Sequence, residues 1–200
     1  MSEDYYFLNA SERKALQSWH VWLDDNRGDR ARLRRAESPE DILLTDAFFH
    51  FLDKMNKASP QWSQNKPMLT SASIAGALSH VKTDKQTPSK LYNSKANDAP
   101  KKSASFAEQL ASSSEGKSKA PMSELRFQQL QKSPTTDDFY RRIIRAIGLL
   151  GGNVNIISLA NDIIHWHREF EYQVDHRQPA NRLAVRWATD YFTALPKNSD

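Results

Sequence analysis

The chain contains no cysteine. That absence excludes structural disulfides, thiolate catalysis and cysteine-based zinc sites, and it accords with a reducing compartment. Long apolar runs are missing as well. Nothing approaches the roughly 18–20 uninterrupted apolar residues of a membrane-spanning helix, and Met1-Ser2-Glu3-Asp4 is acidic where a secretory signal would be basic. The expectation is a soluble, cytoplasmic protein with no membrane partner. No alternation of β-branched residues marks a strand, and no internal repeat is present. The motifs of zinc peptidases, serine hydrolases and phosphate-binding loops are all absent. Apolar residues make up only 38% of the chain and the mean hydropathy is −0.73, so part of it is expected to pack poorly.

What the sequence does have is segregated positive charge. The formal net charge is only +4. Yet residues 26–35 alone sum to +4, between stretches of −3 at 1–25 and −3 at 36–60. Arg27, Arg30, Arg32, Arg34 and Arg35 crowd into this run, which ends at Glu37-Ser38-Pro39-Glu40-Asp41. Charge concentrated in this way is the electrostatic footprint of a nucleic-acid binder.

The periodicity is helical almost throughout, and the predicted fold class is all-α. Ser11 can cap a first helix with apolar positions Ala15, Leu16, Trp19, Trp22 and Leu23. Asp29 can cap a short helix to Arg35. Ser38-Pro39-Glu40-Asp41 is a helix start, with Ser as cap, Pro at the first position and acids in the first turn. It leads into the aromatic-rich segment Ala47–Leu52, and Pro67 opens a further helix. From about Lys82 to Ser105 the pattern disappears: Lys82, Lys85, Lys90, Lys95, Lys101 and Lys102 stand among polar residues, as in a flexible basic loop too polar to bury anything. On this reading residues 85–103 are dispensable for folding. A short helix at Phe106–Leu110 and a Ser/Lys/Gly-rich joint at 112–121 follow. Helices are then expected at Ser123–Gln131, Thr136–Leu150, Asn155–Tyr172 and Pro179–Leu195, with a break at Gly151-Gly152. The predicted organisation is an N-terminal helical bundle at 1–81, the loop at 82–105 and a C-terminal helical bundle at 106–200.

Three arginine groups qualify as phosphate contacts. On the helix from Phe139, the residues Phe139, Tyr140, Ile143, Ile144, Ala146, Ile147 and Leu150 share one arc, while Arg141, Arg142 and Arg145 occupy the other. Solvated helix faces usually mix signs, because like charges at i,i+4 repel. In the Arg27–Arg35 run, Arg30 and Arg34 share one side and Arg32 and Arg35 another; Glu37, Glu40 and Asp41 can pair with only some of them. Arg182 and Arg186 lie one turn apart on the last helix, and Arg186 can equally pair with Asp190. A metal or hydrolytic site is disfavoured. Asp162, His165, His167, Glu169 and His176 cluster in sequence, but His165 and His167 point about 200° apart on a helix and cannot share an ion. Trp19, Trp22, Trp166 and Trp187 occupy apolar faces and read as core.

Taken in order, these segments resemble the CasB family, the small subunit of the type I-E CRISPR surveillance complex Cascade. The resemblance rests on Trp19–Leu23, Leu33-Arg34-Arg35-Ala36-Glu37-Ser38-Pro39-Glu40-Asp41 and Ala47-Phe48-Phe49-x-x-Leu52. It continues through Leu125-Arg126-Phe127-Gln128-Gln129-Leu130, Arg141-Arg142, Leu159 to Trp166, and Arg182-x-x-x-Arg186-Trp187-Ala188-x-Asp190-Tyr191-Phe192. Lys132 stands where family members tend to have arginine, which keeps the charge and loses the bidentate fork. The resemblance implies two small helical bundles and a non-catalytic role. The implied partners are the other Cascade subunits and guide RNA, the target and displaced DNA strands, and a second copy of the chain. The candidate nucleic-acid contacts are then Arg27, Arg30, Arg34, Arg35, Lys132, Arg141, Arg142, Arg145, Arg182 and Arg186, with no catalytic residue, metal or cofactor. Two other readings are weighed against it. One is a helical adaptor whose basic faces bind acidic protein partners. The other, a helix-turn-helix repressor, lacks base-reading Asn or Gln beside the arginines.

Overall fold

The computed structural model describes residues 7–91, 102–113, 118–171 and 178–196. Among them the first cluster of helices is α1 (Ala10–Asp25), α2 (Arg27–Arg35), α3 (Pro39–Leu43), α4 (Asp46–Ala58), α5 (Trp62–Asn65) and α6 (Met68–His80). The second comprises α7 (Phe106–Ala111), α8 (Glu124–Gln131), α9 (Thr136–Leu149), α10 (Ile156–Phe170) and α11 (Leu183–Ala194). The fold is therefore all-α, with two helical clusters packed together over a continuous apolar core.

Local chemistry sets the helix starts. The cap of α1 is Asn9 rather than Ser11. Its side chain accepts from Glu12 N–H at 2.9 Å while the Glu12 carboxylate accepts from Asn9 N–H at 3.0 Å, so two orphan donors are satisfied at once. Glu12 is buried and also takes Lys66 Nζ at 2.7 Å and Ser59 Oγ at 3.0 Å, which ties α1 to the α5–α6 connection and to the end of α4. No side chain caps α2; Asp29 lies inside its first turn. Ser38 caps α3 with Pro39 at its first position, as the sequence predicts. Pro179 does not open the last helix: Pro179–Asn181 forms one 3-10 turn and α11 begins after Arg182.

Helix α6 lies between the clusters, and every residue from Thr70 to Ser79 is buried. Small side chains make this possible. A Cβ on Gly76 would collide with Ile42 of α3 and the Tyr140 hydroxyl of α9. The glycine thus sets how closely α3, α6 and α9 approach.

The expectation of an unpacked, strandless stretch at 82–105 is corrected at both ends. Strand β1 (Thr83–Asp84) pairs in parallel with β2 (Asn153–Val154), and Lys85 N–H donates to Val154 C=O at 2.9 Å. Gly151 and Gly152, with φ of 65° and 83°, turn the chain from α9 into β2, and the Gly152 carbonyl receives Lys82 N–H at 2.8 Å. Farther on, Ser89 N–H donates to Lys102 C=O and Ala104 N–H to Thr87 C=O, both at 2.7 Å. Ser89 and Ala104 are buried. Polar residues can be buried when their hydrogen bonds are met, and counting apolar anchors does not detect this. Residues 92–101, with Lys95 and Lys101, and 114–117 of the 112–121 joint lie outside the described residues.

Candidate nucleic-acid interface

Two arginine groups remote in sequence meet on one surface. Helix α9 buries Phe139, Tyr140, Ile143, Ala146 and Ile147 against the core, Phe139 stacking on Trp166 at 4.1 Å between ring centres. That docking leaves Arg141 and Arg145 exposed. Helix α2 buries only Leu33 and lies against α6 and α4, which turns Arg34 toward α9. Arg34, Arg141 and Arg145 line one cleft of about 470 Å³ together with His80, Tyr140, Ile144 and the α3 approach at Glu37, Ser38 and Asp41. A second cleft, about 540 Å³, is lined by Asp24, Arg27, Arg30, Arg34, Ser79, His80 and Lys82. Arg34 and His80 line both clefts and form the ridge between them.

The cations differ in how committed they are. Among the described residues no ion pair engages Arg27, Arg34, Arg35 or Arg145, and Arg141 reaches Asp137 only at 3.9 Å. Arg32 pairs loosely with Asp29 and Asp46, at 3.9 and 3.8 Å. Arg35 does not pair with Glu40 or Asp41; the Asp41 carboxylate is held below the usual carboxylate value by hydrogen bonding from the Ser38 side chain, then by the Glu37 and Ser38 amides, each at 3.1 Å.

Two of the candidate arginines are built into the fold. Arg30 donates to the carbonyls of Ser79, at 3.0 Å, and Val81 and pairs with Asp24. It closes the C-terminus of α6, where unsatisfied carbonyls and the helix dipole favour a cation. Arg142 is half-buried and donates to Gln129 C=O and to Ser133 Oγ, the latter at 3.3 Å. It serves the C-terminus of α8 in the same way. The arc shared by Arg141, Arg142 and Arg145 is thus divided between solvent and structure.

The remaining candidates stand apart from the two clefts. Lys132 is exposed at the end of α8, and Arg182 is exposed at the cap of α11. Arg186 is half-buried beside Asp162 and Asp190, lining a different cleft between α1, α10 and α11.

His80 was not among the sequence candidates. It ends an apolar helix and belongs to no basic run, so only the packing of α2 and α9 against α6 reveals its position. Burial, followed by the charges of Arg34 and then Arg30, lowers its pKa to about 4. The ring is neutral at pH 7 inside a cationic surface.

The histidines of α10 serve the core. His165 is fully buried 3.0 Å from the Glu169 carboxylate and beside Phe7. His167 Nε2 lies 3.1 Å from Ser73 Oγ, and burial lowers its pKa to about 4. No group of three metal-ligating side chains forms among the described residues. Trp19, Trp166 and Trp187 are buried and Trp22 is half-buried, as core positions. No helix among the described residues is long and apolar enough to cross a membrane.

An outward, largely unpaired set of cations with no base-reading side chain beside it is suited to contacting phosphates without reading sequence. Residues 29–192 match the family model described as CRISPR-associated protein Cse2. No curated protein and no solved structure matches.

Proposed function

Because this chain belongs to the CRISPR-associated Cse2 family, the CasB-type small subunits of Cascade, we propose that its part in the complex is to hold the DNA strands of the R-loop by their phosphates. The observation that carries this reading is the convergence of Arg27, Arg34, Lys82, Arg141 and Arg145 along two adjoining clefts. R-loop formation exchanges one duplex for another of similar stability, so a modest sequence-independent attraction can tip the balance. The target and displaced strands are the ligands; guide RNA, the other subunits and a second copy are neighbours in the assembly.

Arg27, Arg34, Arg141 and Arg145 form the proposed contact surface, with Lys82 added from the segment after α6; Arg35, exposed at the end of α2, lines neither cleft. Lys132, Arg182 and Arg186 lie outside this surface. Arg30 and Arg142 support the surface by fixing α2 to α6 and α9 to α8. The test is R-loop lifetime in a reconstituted complex: combined Arg34→Ala, Arg141→Ala and Arg145→Ala substitutions shorten it while the subunit remains folded and incorporated. An unchanged lifetime rejects the reading.

A further inference from the structure

His80 stands at the ridge where the two clefts meet, and only it and Arg34 line both. Helix α2 turns Arg30 and Arg34 toward it, with Arg27 on the rim, and Asp24 from the end of α1 lies beside Arg30. Helix α9 contributes Tyr140, Arg141 and Arg145, the α3 approach contributes Glu37 and Asp41, and Lys82 comes from the connection between α6 and β1. The carboxylates do not hold a proton on the ring: Asp24 is paired with Arg30, Asp41 is engaged by the Glu37 and Ser38 amides, and Glu37 is exposed to solvent. Among the described residues neither ring nitrogen of His80 makes a hydrogen bond.

We propose that His80 is a phosphate ligand at this ridge and takes up a proton when a backbone phosphate binds, so that the chain grips a nucleic-acid strand more tightly as the pH falls from 7.5 toward 5.5. The proposal rests on the phosphate-binding role given to the cleft. Three features support it. The ring is at the midpoint of the cationic surface, its nitrogens are uncommitted, and the charges that oppose its protonation are those a phosphate neutralises. In the free chain, burial together with Arg34 and Arg30 lowers the pKa to about 4. A phosphate seated between Arg34 and the Arg141–Arg145 pair supplies both a negative charge and acceptor oxygens, and both favour the imidazolium. If the bound ring returns to its ordinary value of about 6.5, linkage requires about one proton to enter per site at pH 5.5, and affinity there exceeds that at pH 7.5 about tenfold.

The experiment measures binding of a fluorescent oligothymidylate to the full chain at pH 7.5 and 5.5 and constant ionic strength. Thymine does not titrate in this range, so the probe adds no pH dependence of its own. The wild-type chain should gain about tenfold in affinity at pH 5.5, and His80→Gln less than twofold. Equal gains in the two chains overturn the proposal. If Arg34→Ala still weakens binding in that case, the phosphate-binding reading stands without it. If substitutions at Arg34, Arg141 and Arg145 leave binding unchanged, both fall. Should His80→Gln fail to fold, NMR titration of the wild-type His80 ring decides: the proposal requires its pKa to rise on adding oligothymidylate, and an unmoved pKa rejects it.

Discussion

Ser89 Oγ donates to the buried carboxylate of Glu108 at 2.6 Å. The other carboxylate oxygen takes Lys90 N–H at 2.7 Å. This pair anchors the segment after β1 onto α7, so the segment helps to satisfy a charge inside the protein. Ser89→Ala should cost about 1–3 kcal/mol, because the carboxylate loses a donor it cannot recover from water. Deleting residues 85–103 removes both donors as well as the Lys85–Val154 bond, and should cost about 3–5 kcal/mol. Thermal denaturation checks both; an unshifted melting temperature would mean that Glu108 is solvated.

The division of labour among the arginines predicts a matching division of phenotypes. Arg30→Ala and Arg142→Ala each strip carbonyls at a helix C-terminus of a charged donor. Each should cost about 1–3 kcal/mol, a fall of several degrees in Tm for a chain of this size. Arg141→Ala and Arg145→Ala should leave Tm within a degree or two, since exposed charges contribute little. The comparison is a melting series on the four single variants. Equal losses at all four positions would contradict the assignment.

Asp162 makes the fold sensitive to pH. Burial raises its carboxyl to about 7, opposed by the Trp187 Nε1–H donor, which lies 2.9 Å away, and by Arg186. The folded pKa exceeds the unfolded value of about 3.9. The folded state therefore binds the extra proton between about pH 4 and 7, and this group's contribution to stability falls as pH rises through that window. Asp162→Asn keeps an acceptor for Trp187 and removes the charge. The variant should be more stable than wild type at pH 8, by an amount of order a few kcal/mol, and the difference should fall to about a third of that at pH 5 and vanish below about pH 4. A difference independent of pH would show that the carboxyl titrates normally.

How much of this was legible in the sequence follows the range of the interactions involved. The Ser38-Pro39 helix start and the amphipathic arc of α9 are local, and periodicity and capping chemistry found them. The Asn9–Glu12 capping box is local too, but Ser11 offered a competing cap two residues along. The role of Arg30 could not be read, because its partners Ser79 and Val81 come from the end of a helix distant in the chain. Ser89 carried no apolar signal, since it is buried by a hydrogen bond. The candidate site was half legible: Arg34, Arg141 and Arg145 were singled out, but as separate clusters. Their convergence depends on Gly76 letting α3 and α9 close onto α6, and that same closure brings His80 to the ridge.

The most direct test of the account is the salt dependence of single-stranded DNA binding by the isolated chain. Five cations line the clefts outside the Arg30–Asp24 pair. If all five neutralise phosphates, the log–log slope of affinity against salt should be about −3.5. With Arg34, Arg141 and Arg145 replaced by alanine it should fall to about −1.5, with no change in preference among DNA sequences. An equal slope and affinity in the triple variant would contradict the central claim, leaving these arginines as solvated charges or as a docking face for an acidic protein.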